Sequence, residues 1–348
     1  MTTIPKLLLL LALAPGARAA TCCVATNGSD ADAGTEARPW QTLRKAAASV
    51  QPGDTVRIRA GTYFVGPTWI VNRAGTAERP IAYRAFGDGE VRITGASVLP
   101  AEAWTHVKGT IYSAPLHAPV LAVFQNEFPL HDPGDRARIH AVDDLIPNSF
   151  WTTNRTLYVW LADGSHPKEF VMHAAPNHVV SLYDCHHSVF DGLTVEFGFN
   201  GFKDQGRTTH HIAIRNCTIR SICSQGIQPV PKDCLIESNL FQKIGSNKFE
   251  HGIYGSQPGT IIHGNVFEEI AGAGIHQYNQ KGTAGGGCEF SGNVFRKPRP
   301  MTVRSGQETY YVDVIAWGEG GNRAFSNTVQ QAAGEGPARD GEEGRAAP

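Results

Sequence analysis

The chain has 348 residues, 38 of them glycine, and its 31 lysines and arginines nearly balance its 32 aspartates and glutamates. With no basic block, it lacks the electrostatic footprint of a nucleic-acid binder. Glycine above its usual share of about 7% points to a fold with many turns.

Residues 1–19 read as an export signal. Lys6 gives a basic start, the run Leu7 to Ala14 is too short to span a bilayer, and Ala17-Arg18-Ala19 is an A-x-A cleavage site. No later run approaches the ~18 apolar residues of a membrane helix. A secreted or periplasmic protein, free of the membrane after cleavage and monomeric, is expected. Seven cysteines, Cys22, Cys23, Cys185, Cys217, Cys223, Cys234 and Cys288, are an odd number with no C-x-x-C spacing. They read as small buried hydrophobes with room for one disulfide.

Residues 20–97 open with "PWQTLRKAAASV", an amphipathic helix that places Leu43, Ala46, Ala47 and Val50 on one face. Pro52-Gly53 stops it, and "DTVRIRAGTY" alternates as a strand. Residues 98–175 change texture, with Trp- and Tyr-rich runs such as "RTLYVWLADGSHP" that read as hairpins of a β-rich insertion or of elaborated coils. Residues 176–329 repeat. Asn216, Asn239, Asn265, Asn293 and Asn327 recur at spacings of 23, 26, 28 and 34 residues, each between short β-branched or aromatic runs. Strands this short cannot bury a face alone, so the period predicts stacked coils. One Asn per coil, about 4.8 Å from the next, predicts a buried amide ladder. Residues 330–348 contain no strand former and are expected to be a disordered tail, with no cap after the last coil.

These coils, with the opening segment "CCVATNGSDADAGTEARPWQTLRKAAASVQPGDTVRIRAGTYF", resemble the right-handed parallel β-helix of the pectate-lyase-like superfamily. The resemblance implies an all-β solenoid with a short N-terminal capping helix, a β-rich insertion beside a substrate groove, and carbohydrate as the partner. It also implies calcium in many lyases of the superfamily.

The steps "GFK", "GIQ", "GIY" and "GIH" align on the coils. With Phe202, Ile227, Ile253 and Ile275 inward, strand alternation turns Lys203, Gln228, Tyr254 and His276 outward, one per rung. Tyr254 beside His276, with His251 and Tyr278 close in sequence, is dense in proton-transfer groups. A polysaccharide lyase acting on a uronic-acid polymer is the leading expectation. It takes His276 or His251 as base, Tyr254 as acid, Lys203 and Lys281 as carboxylate clamps, and Gln228, Gln277 and Tyr278 as sugar contacts. A glycoside hydrolase using Glu196 with Asp204, or Asp233 with Glu250, is the alternative, and a non-catalytic sugar-binding solenoid is a third. No cofactor is assigned. Calcium stays open, because it needs six or more oxygens and the carboxylates are scattered. His186-His187 and His210-His211 stand where coils begin, and His187 and His211 read as structural residues at turns.

Overall fold

The computed structural model describes residues 19–131, 139–277, 286–297 and 321–330, with the backbone alone of three short strands between 298 and 320. Residues 1–18 of the expected export signal and residues 331–348 of the expected tail lie outside the described residues. Three long parallel sheets share one core, and the chain visits them in turn. One coil runs Leu235–Glu237, Leu240–Ile244, Ile253–Tyr254, and the next begins at Ile261–His263. The first sheet has nine strands, the second eight, and the third, or groove sheet, seven. This is the parallel β-helix, and its parallel strands need crossovers, which here are the other two sheets.

Each inward position stacks on its equivalent one coil away. In the first sheet the file runs Tyr83, Phe190, Ile214, Ile236, Ile262, Phe290. In the second it includes Phe241, Phe267 and Phe295, whose rings stack at 4.7 and 5.0 Å. In the third it runs Trp69, Val180, Phe202, Ile227, Ile253, Ile275. All are buried, and each contributes roughly 1.5–3 kcal/mol of apolar transfer.

The helix is shorter than the sequence predicts, Leu43–Ser49, because Thr42 caps it by accepting the Lys45 N–H. It buries Leu43, Ala46 and Ala47 at the first coil, as a cap should. The run "DTVRIRAGTY" is two strands, Thr55–Ile58 and Gly61–Phe64, divided between the first and second sheets. The insertion leaves after the second-sheet strand Val91–Thr94 and returns at the groove strand Val180–Leu182. It forms two four-stranded antiparallel sheets and so replaces one corner of one coil. Ala96, Ala122, Phe124 and Ala175 pack it against Phe197 and Cys223 of the solenoid. His131 Nδ1 lies 2.6 Å from the Ser246 carbonyl oxygen, one coil beyond Cys223. The insertion therefore walls the corner from which the groove strands start.

The amide ladder is present with one correction. Asn239, Asn265, Asn293 and Asn327 each stand on the next, with side-chain and backbone bonds of 2.9–3.0 Å. Asn216 is not a rung. It is exposed, has φ 52°, and donates to Asp191. Cys217 fills the rung instead, its N–H donating to Asn239 Oδ1 at 2.9 Å. The physical reason lies in the corner. Gly192, Asn216, Ser238, Gly264, Gly292 and Ser326 all have positive φ, and each precedes the rung residue. Asn216 occupies the left-handed position, which Asn tolerates better than most residues. All seven cysteines are free and six are buried, so no disulfide forms. No helix among the described residues is long and apolar enough to cross a membrane.

Asn265 makes four such bonds, to Asn239 N and Nδ2, the Ile236 carbonyl and Asn293 Oδ1. Asn265→Ala orphans buried donors and acceptors together and is expected to cost about 3 kcal/mol or more in urea denaturation. Asn216→Gly is expected to cost less than about 1 kcal/mol. Equal losses would contradict the ladder as drawn.

Candidate functional site

The Gly-apolar steps of the sequence are corners under pressure. A Cβ on Gly226 would stand 2.4 Å from the Gly252 carbonyl oxygen, and one on Gly252 2.6 Å from that of Gly274. Only glycine lets the coils close to rung distance here. The residue after each glycine then enters the core, and the one after that faces out.

The outward file is as expected. Lys203 pairs with Gln228 across one rung and Tyr254 with His276 across another. Ile227 and Ile253 pair between them, so the file is continuous. All four outward residues are partly exposed. At the lysine end, Gln228 Oε1 accepts from Lys203 Nζ at 3.2 Å and from Asn200 Nδ2 at 3.0 Å. Burial lowers the Lys203 pKa, opposed by Asp204. Burial, then the Lys203 charge, pushes neighbouring His178 down to about 4. Asn200 and His178 were not singled out from sequence. The only hint was polar residues immediately before the Gly201 and Val179 corners.

At the other end the three rings form one unit. His251 stacks on Tyr254 at 5.5 Å and 8°, and His276 stands edge-on to both, at 4.5 and 5.1 Å. His251 is brought to the site, but in the layer beneath it, with only 6% exposure. Its corner, residues 245–252, is fixed by side chains. Glu250 Oε2 accepts from Ser246 N and Oγ, and Gln225 Oε1 accepts the His251 N–H.

The ring nitrogens then have determined roles. His251 Nδ1 accepts the Ala273 backbone N–H at 2.9 Å. A neutral imidazole whose Nδ1 accepts carries its proton on Nε2. That Nε2–H donates to His276 Nδ1, 2.9 Å away. His276 Nδ1 is therefore an acceptor, and its own proton sits on Nε2. Burial first, and His276 second, push the His251 pKa down to about 3, so His251 is neutral at ordinary pH. The pair offers the groove an imidazole N–H, not a lone pair. With both nitrogens committed, His251 positions His276 and is not itself placed to take a proton from a ligand.

Gln277 is turned away from the face. It is fully buried, and its amide closes a pair of bonds with the Ser256 backbone, 2.9 and 2.8 Å. Tyr278 and Lys281 lie outside the described residues. The carboxylates considered for hydrolysis are dispersed. Glu196 is buried on the second sheet between Arg92 and Arg220, each at 2.8 Å. Glu250 belongs to the corner described above, and Asp233 and Asp204 lie on neither side of the Tyr254–His276 rungs. Among the described residues no three His, Cys, Asp or Glu converge as a calcium site would require.

The chain matches no family model. Among curated proteins it is 42% identical over 79 residues to the uncharacterized protein YwoF of Bacillus subtilis (strain 168), covering 23% of this chain and 16% of that one. It is 36% identical over 89 residues to pectate lyase PEL9 of Emericella nidulans, covering 26% of this chain and 22% of that one. The chain thus spans less than a quarter of the length of the curated relatives it matches. Among solved structures, XylC in complex with xylose superimposes with a TM-score of 0.50 at 14% identity, covering 80% of this chain and 63% of that one.

The neutral His251 has a consequence for stability. Its folded pKa, about 3, lies below the ~6.5 of a free imidazole. Between those values the unfolded chain binds more protons, so this contribution is whole above pH ~6.5 and is lost as pH falls toward the folded pKa. The urea midpoint is expected to drop between pH 7 and pH 4, and to drop less in His251→Asn, whose Oδ1 still accepts from Ala273. Equal pH slopes in the two proteins would contradict the buried neutral ring. The stacked inward files and the order of the three parallel sheets give one architecture: the chain has a right-handed parallel β-helix fold.

Proposed function

We propose that this chain is a secreted carbohydrate-active protein, and that it cleaves an extracellular uronic-acid polymer by β-elimination along the groove sheet. The observation that carries the reading is the outward file itself. A cation, an amide, a phenol and an imidazole N–H stand on successive rungs of one face. The 36% identity of one segment to a pectate lyase supports the same class.

Elimination breaks the C5–H bond, whose electron pair becomes the new C4–C5 double bond as the C4–O bond breaks. Charge gathers meanwhile on the C5 carboxylate. A donor aimed there stabilises the intermediate most where it is fixed beforehand. His276 Nε2–H is such a donor, held by the relay from Ala273 through His251. A neutral imidazole can act in this way without being charged. Tyr254, one rung away, carries the proton. Its phenolate oxygen takes it from C5, and the phenol returns it to the departing oxygen on the same face. Lys203, two rungs from Tyr254, is placed for the carboxylate of an adjoining sugar, with Gln228 between them. A hydrolase has less support, since among the described residues no carboxylate pair faces the Tyr254–His276 rungs.

The test is incubation with polygalacturonate, alginate and glycosaminoglycans, read at the absorbance of the unsaturated product. Unsaturated ends should form on one of them. Tyr254→Phe should lower the rate at least ~100-fold with the fold retained. Reducing ends without unsaturation would replace the lyase reading by a hydrolase. Binding with neither product would leave a sugar-binding solenoid.

A further inference from the structure

Four histidines gather on the first sheet, away from the groove. His186 and His210 begin successive strands and pair across one rung. Their rings stack at 4.7 Å and 6°. His187 and His211 form a second column, stacked at 4.6 Å and 14°. Neighbours in a strand ordinarily point to opposite faces. Here they meet, because His187 and His211 have φ of 50° and 51°. The same left-handed bulge recurs in both coils and costs of order 1 kcal/mol each time for a non-glycine residue.

The bulge brings Nδ1 against Nδ1 within each coil, at 3.0 Å for His186–His187 and 2.6 Å for His210–His211. Two imidazole nitrogens bound to one ion at about 2.0 Å lie roughly 2.8 Å apart at a right angle and about 3.3 Å apart at the tetrahedral angle. Both pairs are therefore near a chelating bite before any ion arrives. Metal binding needs the neutral ring. The charged groups that bear on the cluster are Glu78, beside His187, and Lys232, beside His210. Three of the four rings are partly exposed and His211 is exposed, so an ion can enter.

We infer that His186, His187, His210 and His211 form a binding site for a borderline-soft divalent transition-metal ion of the copper, nickel or zinc class. No three of these groups already surround a common point at bonding distance. The ion completes the site by drawing the two prepaired rungs together, and so clips one coil to the next. Imidazole-only ligation selects these metals over calcium and magnesium, which take oxygen.

The test uses the untagged full chain and the metals alone. Calorimetric titration with Cu2+ and Zn2+ should give a dissociation constant on the order of micromolar or tighter, with Cu2+ the tighter. Ca2+ should give no heat at these residues. The thermal midpoint should rise with either bound metal. His187→Asn combined with His211→Asn keeps residues that accept the left-handed backbone, and should weaken binding at least about 10-fold. His276→Gln, at the other histidine pair, should leave the affinity unchanged. Millimolar binding by the unaltered protein, or equal affinity in the double variant, would overturn the assignment. So would loss of the binding in His276→Gln.

Discussion

A coil of this solenoid can bury its apolar side chains only by lying in register on the coil before it. Every feature of the molecule follows from that stacking at about 4.8 Å. It places Phe241 on Phe267 and Phe267 on Phe295. It forces glycine at the corners, where one backbone meets the next at carbonyl-contact distance. It needs a buried polar spine, because the corner after the left-handed residue leaves backbone groups inside the core. Asn239, Asn265, Asn293 and Asn327 supply that spine, each amide satisfying the next rung. Unpaired, the same buried groups would cost about 1–3 kcal/mol apiece.

The stacking also makes the outer faces addressable. Any residue one place beyond an inward isoleucine stands on the surface in line with its equivalents. The groove sheet uses this to set Lys203, Gln228, Tyr254 and His276 in one file. The first sheet uses it to set two columns of histidine, once a bulge has turned His187 and His211 to the side of His186 and His210. One architecture yields two quite different clusters because the rung distance suits both ring stacking and side-chain contact along a sugar chain.

Much of this was legible in the sequence. Inward and outward positions could be assigned from Ile253-Tyr254 and Ile275-His276 alone, because alternation and one rung of repetition fix both. The amide ladder was legible from Asn239 onward, and failed by one residue at Asn216. There a composition match concealed a conformational difference: asparagine suits a left-handed corner as well as a buried rung, and only the backbone distinguishes them. Gln277 was misplaced for a similar reason. It follows the outward His276, but the strand ends there, so alternation no longer applies and the side chain turns in to Ser256. The depth of His251 was not legible, since it depends on an eight-residue corner shaped by Gln225 and Glu250. The partnership of Glu196 with Arg92 and Arg220 joins residues separated by 104 and 24 positions, on strands whose pairing only the assembled sheet reveals.

The chemistry proposed for the groove rests on a backbone amide. Ala273 N–H commits His251 Nδ1, His251 Nε2–H commits His276 Nδ1, and the last proton is left on the outer nitrogen of His276. The sequence could place both imidazoles but not their protons. The direct measurement is the nitrogen–proton correlation spectrum of the imidazole side chains across pH. The relay predicts that both rings carry their proton on Nε2 at neutral pH, and that His251 keeps this form well below pH 6.5, its pKa being about 3. A proton on Nδ1 of either ring, or ordinary titration of His251 near pH 6.5, would contradict it.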